Sequence, residues 1–125
     1  MNIEINNIWL VISLHKLLHI LKYQTLHDDA FTPHAAELSN IILDRIIKFY
    51  TEESNEDEVK LWNKWRRLDK SRLEYNVIVK KLTDEKTFAR NLSSEQKREI
   101  VNIFSSPFEL SSELEQEMTK ILSED

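Results

Sequence analysis

His15 and His19 stand four residues apart in an apolar stretch. That spacing turns two imidazoles toward one side of a helix, as a helical metal site requires. His27, Asp28, Asp29 and His34 follow as further candidate ligands. Between the pair, however, come Lys16, Leu17 and Leu18, so the His-Glu-x-x-His pattern that would bring a base for metal-assisted hydrolysis is missing. Both histidines are therefore expected to be solvated or hydrogen-bonded residues at a core boundary, with no metal and no cofactor.

Lys60, Lys64, Arg66, Arg67, Lys70 and Arg72 are interleaved with Trp62 and Trp65, the residue types that neutralise phosphates and stack bases. On a straight helix Trp65 falls on the buried stripe and its basic neighbours form a solvated face. The net charge of −5 opposes nonspecific attraction to nucleic acid. A nucleic-acid-binding regulator using the basic helix 60–72 is thus the alternative reading.

The leading reading starts from acidic residues. Glu52, Glu53, Glu56, Asp57 and Glu58 crowd one connector, and Glu109, Glu113, Glu115 and Glu117 recur near the C-terminus. The connector lacks the alternating oxygen ligands and the glycine of a calcium loop. Clustered carboxylates cap a helix start and steer association with basic proteins.

Several chemistries are excluded by composition. The chain has no glycine, where about nine would be average for its length. Phosphate-cradling loops, primed hairpin turns and the Gly-x-Ser-x-Gly nucleophile elbow are then difficult or impossible to build. The absence of cysteine removes disulfides, thiolate nucleophiles and thiolate zinc sites, and is compatible with a reducing cytoplasm. No carboxylate sits in an apolar stripe where desolvation would raise its pKa; Glu37 and Asp44 come closest, on the polar side of a helix. No catalytic residue is assigned, and the chain is not expected to be an enzyme.

These residues are positioned by helices. With no glycine and two prolines, there is little turn punctuation, and the 125 residues suit one domain. The first helix is expected over Ile3 to Tyr23, with Leu10, Leu14, Leu17, Leu18 and Leu21 at 3–4 spacing and Ile8, Trp9, Val11, Ile12 and Ile20 widening the stripe. Apolar around most of its circumference, it should be the most buried element or contribute to a subunit interface, so a homodimer is possible. Its apolar run is far short of the roughly 20 residues that span a membrane. With Glu4 and no Lys or Arg ahead of that run, no secretory signal is expected.

Thr32-Pro33 is a helix start signal for a second helix to Tyr50. A third is expected over 56–82, with Leu61, Trp65, Leu68, Tyr75, Val79 and Leu82 on one stripe, Arg72 in its missing position and a bend or break possible near Asp69 to Ser71. A short turn through Phe88 follows. Ser93 and Gln96 have capping-box spacing ahead of a helix from Ser94 to Phe104. Ser112 and Glu115 repeat that spacing ahead of a last helix carrying Leu114, Met118, Ile121 and Leu122.

The expectation is an all-α, compact antiparallel bundle of four main helices plus one or two short ones, a single helical domain over 1–125, cytoplasmic. Segment charges run −1 (residues 1–50), −5 (51–58), +6 (59–90) and −5 (91–125). A helical domain without loops for chemistry acts through its surface. The favoured function is a small bacterial or phage protein-binding inhibitor, such as an immunity protein or antitoxin that occludes a basic nuclease toxin. Glu52, Glu53, Glu56, Asp57 and Glu58, with Glu113 and Glu117, would stand where the toxin expects phosphates.

Overall fold

The Thr32 hydroxyl accepts a hydrogen bond from the Ala35 amide at 3.2 Å, and Pro33 opens the longest helix of the chain. This is the start that the Thr-Pro pair predicts. The computed structural model describes residues 7–124, and the fold is all-α and bundle-like. Its α-helices are α1 (Ile8–His19), α2 (Pro33–Glu52), α3 (Glu56–Arg66), α4 (Leu73–Ala89), α5 (Ser94–Ser105) and α6 (Ser112–Ile121). Contacts divide the chain into two compact units, Met1–Trp65 and Arg66–Asp125.

In the first unit, α1 begins where the Asn7 side chain caps the Trp9 amide at 2.9 Å. Residues 3–6 of the expected first helix lie outside the described residues. Past His19 the chain widens into a π-helical turn, Ile20–Gln24, closed by Thr25 N–H donating to the Ile20 carbonyl at 2.8 Å. The wider turn places two consecutive side chains, Lys22 and Tyr23, inside. α1 packs along α2 through Val11, Ile12, Ile42 and Ile46, with Trp62 of α3 against the same cluster. α1 is not the most buried element: Trp9, Leu10 and Leu17 are exposed, because α2 covers only one side of it.

α2 ends without glycine. Ser54 takes the left-handed conformation (φ 56°), while Ser54 N–H donates to the Thr51 carbonyl and Asn55 N–H to that of Tyr50. This is the paired termination in which glycine is the usual residue. Asn55 then caps α3 by accepting from the Glu58 amide at 3.3 Å.

The expected helix 56–82 is two helices, so the basic run 60–72 is not one helical surface. The Asp69 carboxylate accepts from the Ser71 amide and hydroxyl, a local alternative to helical hydrogen bonding. Leu68 N–H donates to the Glu109 carbonyl and Glu109 N–H to that of Arg66, so the link pairs with distant backbone at an isolated Arg67–Glu109 bridge. Arg72, the misfit of the expected stripe, lies over the Phe108 ring at 4.6 Å and pairs with Glu74 at 3.1 Å.

The second unit packs α4, α5 and α6 pairwise around Ile78, Leu82, Val101, Met118 and Leu122. The turn expected through Phe88 is simply the last part of α4. Ser93 and Gln96 form the full capping box at α5. At α6 the cap is Ser111, which accepts from the Leu114 amide at 3.1 Å; the expected capping residue, Ser112, is the first helical residue.

Candidate partner-binding groove

Within the first unit, α1 with its π-turn and α3 leave an open apolar groove of about 590 Å³. Two pairs of residues a turn apart build it. His15 and His19 come from α1, and Trp62 and Trp65 from α3. The His15 ring meets the indoles of Trp62 and Trp65 edge-on, with centroids 5.3 and 4.9 Å away. His19 stands 5.5 Å from Trp65 and 5.0 Å from Tyr23. Ile20 and Leu61, both exposed, extend the apolar wall, and Lys16 and Glu58 are the charged residues among those lining it.

His15 is only 7% exposed, so of the two expected states, solvated or hydrogen-bonded at a core boundary, the solvated one does not hold. Burial, with smaller contributions from His19 and Lys16, lowers its pKa to about 4, leaving a neutral imidazole at physiological pH. The two imidazole centroids are 6.4 Å apart. Among the described residues no group of three or more His, Cys, Asp or Glu side chains is placed to hold a metal ion; His27 is instead exposed, accepting from the Asp29 amide. The groove offers apolar contact and ring edges. Glu37 and Asp44 are both exposed on α2.

The acidic connector adjoins this groove. Glu52, Glu53, Glu56 and Asp57 are exposed, and Glu58 is half-buried where α3 enters the groove wall. A second concavity of about 510 Å³, lined by Tyr50, Ser54, Asn55, Glu56 and Lys60, sits at the connector itself. The Tyr50 hydroxyl is held above its ordinary pKa by burial and by the charge of Glu58. Glu52 lies 3.9 Å from Lys48.

The remaining candidates are dispersed. Glu113 and Glu117 are exposed on α6, and Glu117 pairs with Lys70 at 2.7 Å. That pairing raises the Lys70 pKa. Lys60 and Lys64 are exposed on α3. Arg66 is turned inward, donating to the Pro107 carbonyl at 3.0 Å with Glu109 at 3.7 Å, and Arg67 is exposed in the link after α3.

The groove itself is not apparent from either helix alone. Its one local signal is that α1 carries more apolar surface than α2 can cover.

The chain matches no protein-family model, no curated protein and no solved structure. Among the described residues no helix is long and apolar enough to cross a membrane.

Proposed function

We propose that the chain is a protein-binding inhibitor whose partner presents a basic, amphipathic segment to the first unit. Glu58 carries this reading: it belongs to the acidic connector and lines the apolar groove of Trp62 and Trp65. Apolar anchors of the partner fill the groove, and its lysines or arginines face Glu52, Glu53, Glu56 and Asp57. Apolar burial supplies most of the affinity, and the carboxylates supply rate and selectivity. A nuclease toxin fits this description, since its substrate-binding surface is basic; the chain then acts as an immunity protein or antitoxin does, by occlusion without chemistry.

The test is capture of partners by the tagged full-length chain in its native host, followed by binding measurements with the purified partner. The expected partner has a basic face. Its binding weakens roughly tenfold between about 0.1 and 1 M salt, over which the screening length falls from about 10 to 3 Å. Glu53→Lys/Asp57→Lys weakens binding in the same direction, and Leu61→Asp weakens it at all salt concentrations. A partner without a basic face, or binding indifferent to salt and to charge reversal, overturns the proposal. Capture of nucleic acid alone replaces it with the reading built on Lys60 and Lys64.

A further inference from the structure

α1 and its π-turn carry a second apolar surface that the groove does not use and from which the α1–α2 core takes only the inner side of Leu14. Leu10, Leu14 and Leu17 of α1 and Leu21 of the π-turn are separated by four, three and four residues, which places them in one stripe along the shared helical axis. Leu10 is 60% exposed, Leu17 59% and Leu21 43%, with Leu14 half-buried beneath them. None of the four lines the groove.

We infer that this stripe docks a second copy of the chain, the two α1 helices running antiparallel about a two-fold axis between Leu14 and Leu17. The spacing reads the same in both directions. In an antiparallel pair Leu10 of one copy therefore meets Leu21 of the other, and Leu14 meets Leu17, so each leucine finds a leucine. Such self-complementarity is what a two-fold interface requires.

Charge points to the same occupant. Ser13 and the groove-lining Ile20 and Gln24, exposed beside the stripe, are uncharged, and the exposed charge on α1, Lys16, lies in the groove wall. The stripe gives a charged partner nothing to complement, and two copies bring no like charges together. Paired, the two stripes and their flanks remove on the order of 1,000 Å² from water, the lower limit for a specific interface. α1 is already held against α2, so docking incurs no cost of helix formation.

Sedimentation equilibrium of the full chain across micromolar to sub-millimolar concentration tests this. The expected mass is twice 14.9 kDa. Leu10→Glu/Leu17→Glu is expected to give a monomer with unchanged helix content by circular dichroism, because both side chains face solvent. Leu73→Glu/Phe88→Glu, which changes side chains 81% and 74% exposed on α4, is expected to remain dimeric. A wild-type chain that stays monomeric throughout, or a dimer that survives Leu10→Glu/Leu17→Glu, overturns the inference.

Because the chain has no cysteine, orientation can be read by cross-linking. When Leu10→Cys and Leu21→Cys chains are mixed and oxidised, unlike chains are expected to couple in preference to like ones. Preferential coupling of like chains overturns the antiparallel arrangement.

Discussion

The His15 imidazole meets the Trp65 indole edge-on, 4.9 Å between centroids at an interplanar angle of 78°. One member of the pair comes from α1 and the other from α3, so the contact bridges the two walls of the groove. It also removes His15 from water, and the charged form of its ring bears the cost.

Acid should therefore loosen the first unit over a defined window. The folded-state pKa of His15, about 4, lies below its unfolded value of 6.5. The unfolded chain takes up a proton first, so stability falls as pH drops from about 6.5 to 4 and levels off below. The linkage amounts to roughly 3 kcal/mol across that window. All three tryptophans, Trp9, Trp62 and Trp65, lie in the first unit, so urea titrations followed by tryptophan emission isolate it. His15→Phe is expected to remove this part of the acid dependence. An undiminished slope in the variant would show that other groups are responsible.

Lys22 should act at the opposite end of the pH scale. Its side chain is 2% exposed, with its ammonium 5.4 Å from the centre of the Tyr23 ring and 5.3 Å from that of Phe31. Burial lowers its pKa from 10.5 to about 7. Between these values the unfolded state binds the additional proton, so stability rises as pH increases through the window, by on the order of 5 kcal/mol. Below pH 7 the penalty is present in full. Lys22→Met keeps the apolar stem and is expected to be more stable than wild type at pH 7, with the difference closing toward pH 10. Parallel pH profiles for the two proteins would rule out Lys22 as the source.

How far the sequence carries depends on the range of the interactions. Thr32-Pro33 and the Ser93–Gln96 capping box are local, and both start helices where expected. At α6 the local signal is degenerate, because Ser111 and Ser112 adjoin and only the final geometry makes Ser111 the cap. The division near Asp69 is half legible: the Asp69–Ser71 turn is local, whereas the Arg67–Glu109 pairing that stabilises it joins distant segments. Least legible is the groove. The periodicity of α1 places His15 beside its core face, but nothing near it in sequence announces that Trp62 and Trp65 will enclose it.

The second unit contains an unsatisfied hydroxyl that should be dispensable. Ser105, at the end of α5, is fully buried, and its Oγ has no hydrogen-bond partner among the described residues. A buried hydroxyl without a partner keeps its desolvation cost and returns nothing. Ser105→Ala leaves almost the same shape and is expected to stabilise by about 1 kcal/mol. The second unit has no tryptophan, so far-UV circular dichroism during urea unfolding is the suitable measurement. A loss of stability beyond about 1 kcal/mol would mean that the hydroxyl is satisfied in solution.

Among the described residues, the absence of glycine leaves two non-glycine residues at positive φ, and restoring glycine tests the strain expected there. Ser54 (φ 56°) and Leu26 (φ 57°) are both left-handed, a conformation that costs a residue with a Cβ about 1–2 kcal/mol. Ser54 is exposed at the end of α2, and its side chain contributes little burial. Ser54→Gly should relieve the strain, less the entropy that glycine adds to the unfolded chain, for a net gain of about 0.5–1 kcal/mol. Leu26, 38% exposed, keeps most of its side chain in contact with protein. Leu26→Gly forfeits that packing as it relieves the backbone, so the two effects should nearly cancel, within about 0.5 kcal/mol. Ser54→Val, branched at Cβ, should cost more than about 1 kcal/mol. Tryptophan-monitored urea unfolding of the three variants orders them Ser54→Gly, Leu26→Gly, Ser54→Val, most stable first. If Ser54→Gly is no more stable than wild type, the left-handed end of α2 is held without strain, and the chain's lack of glycine carries no cost there.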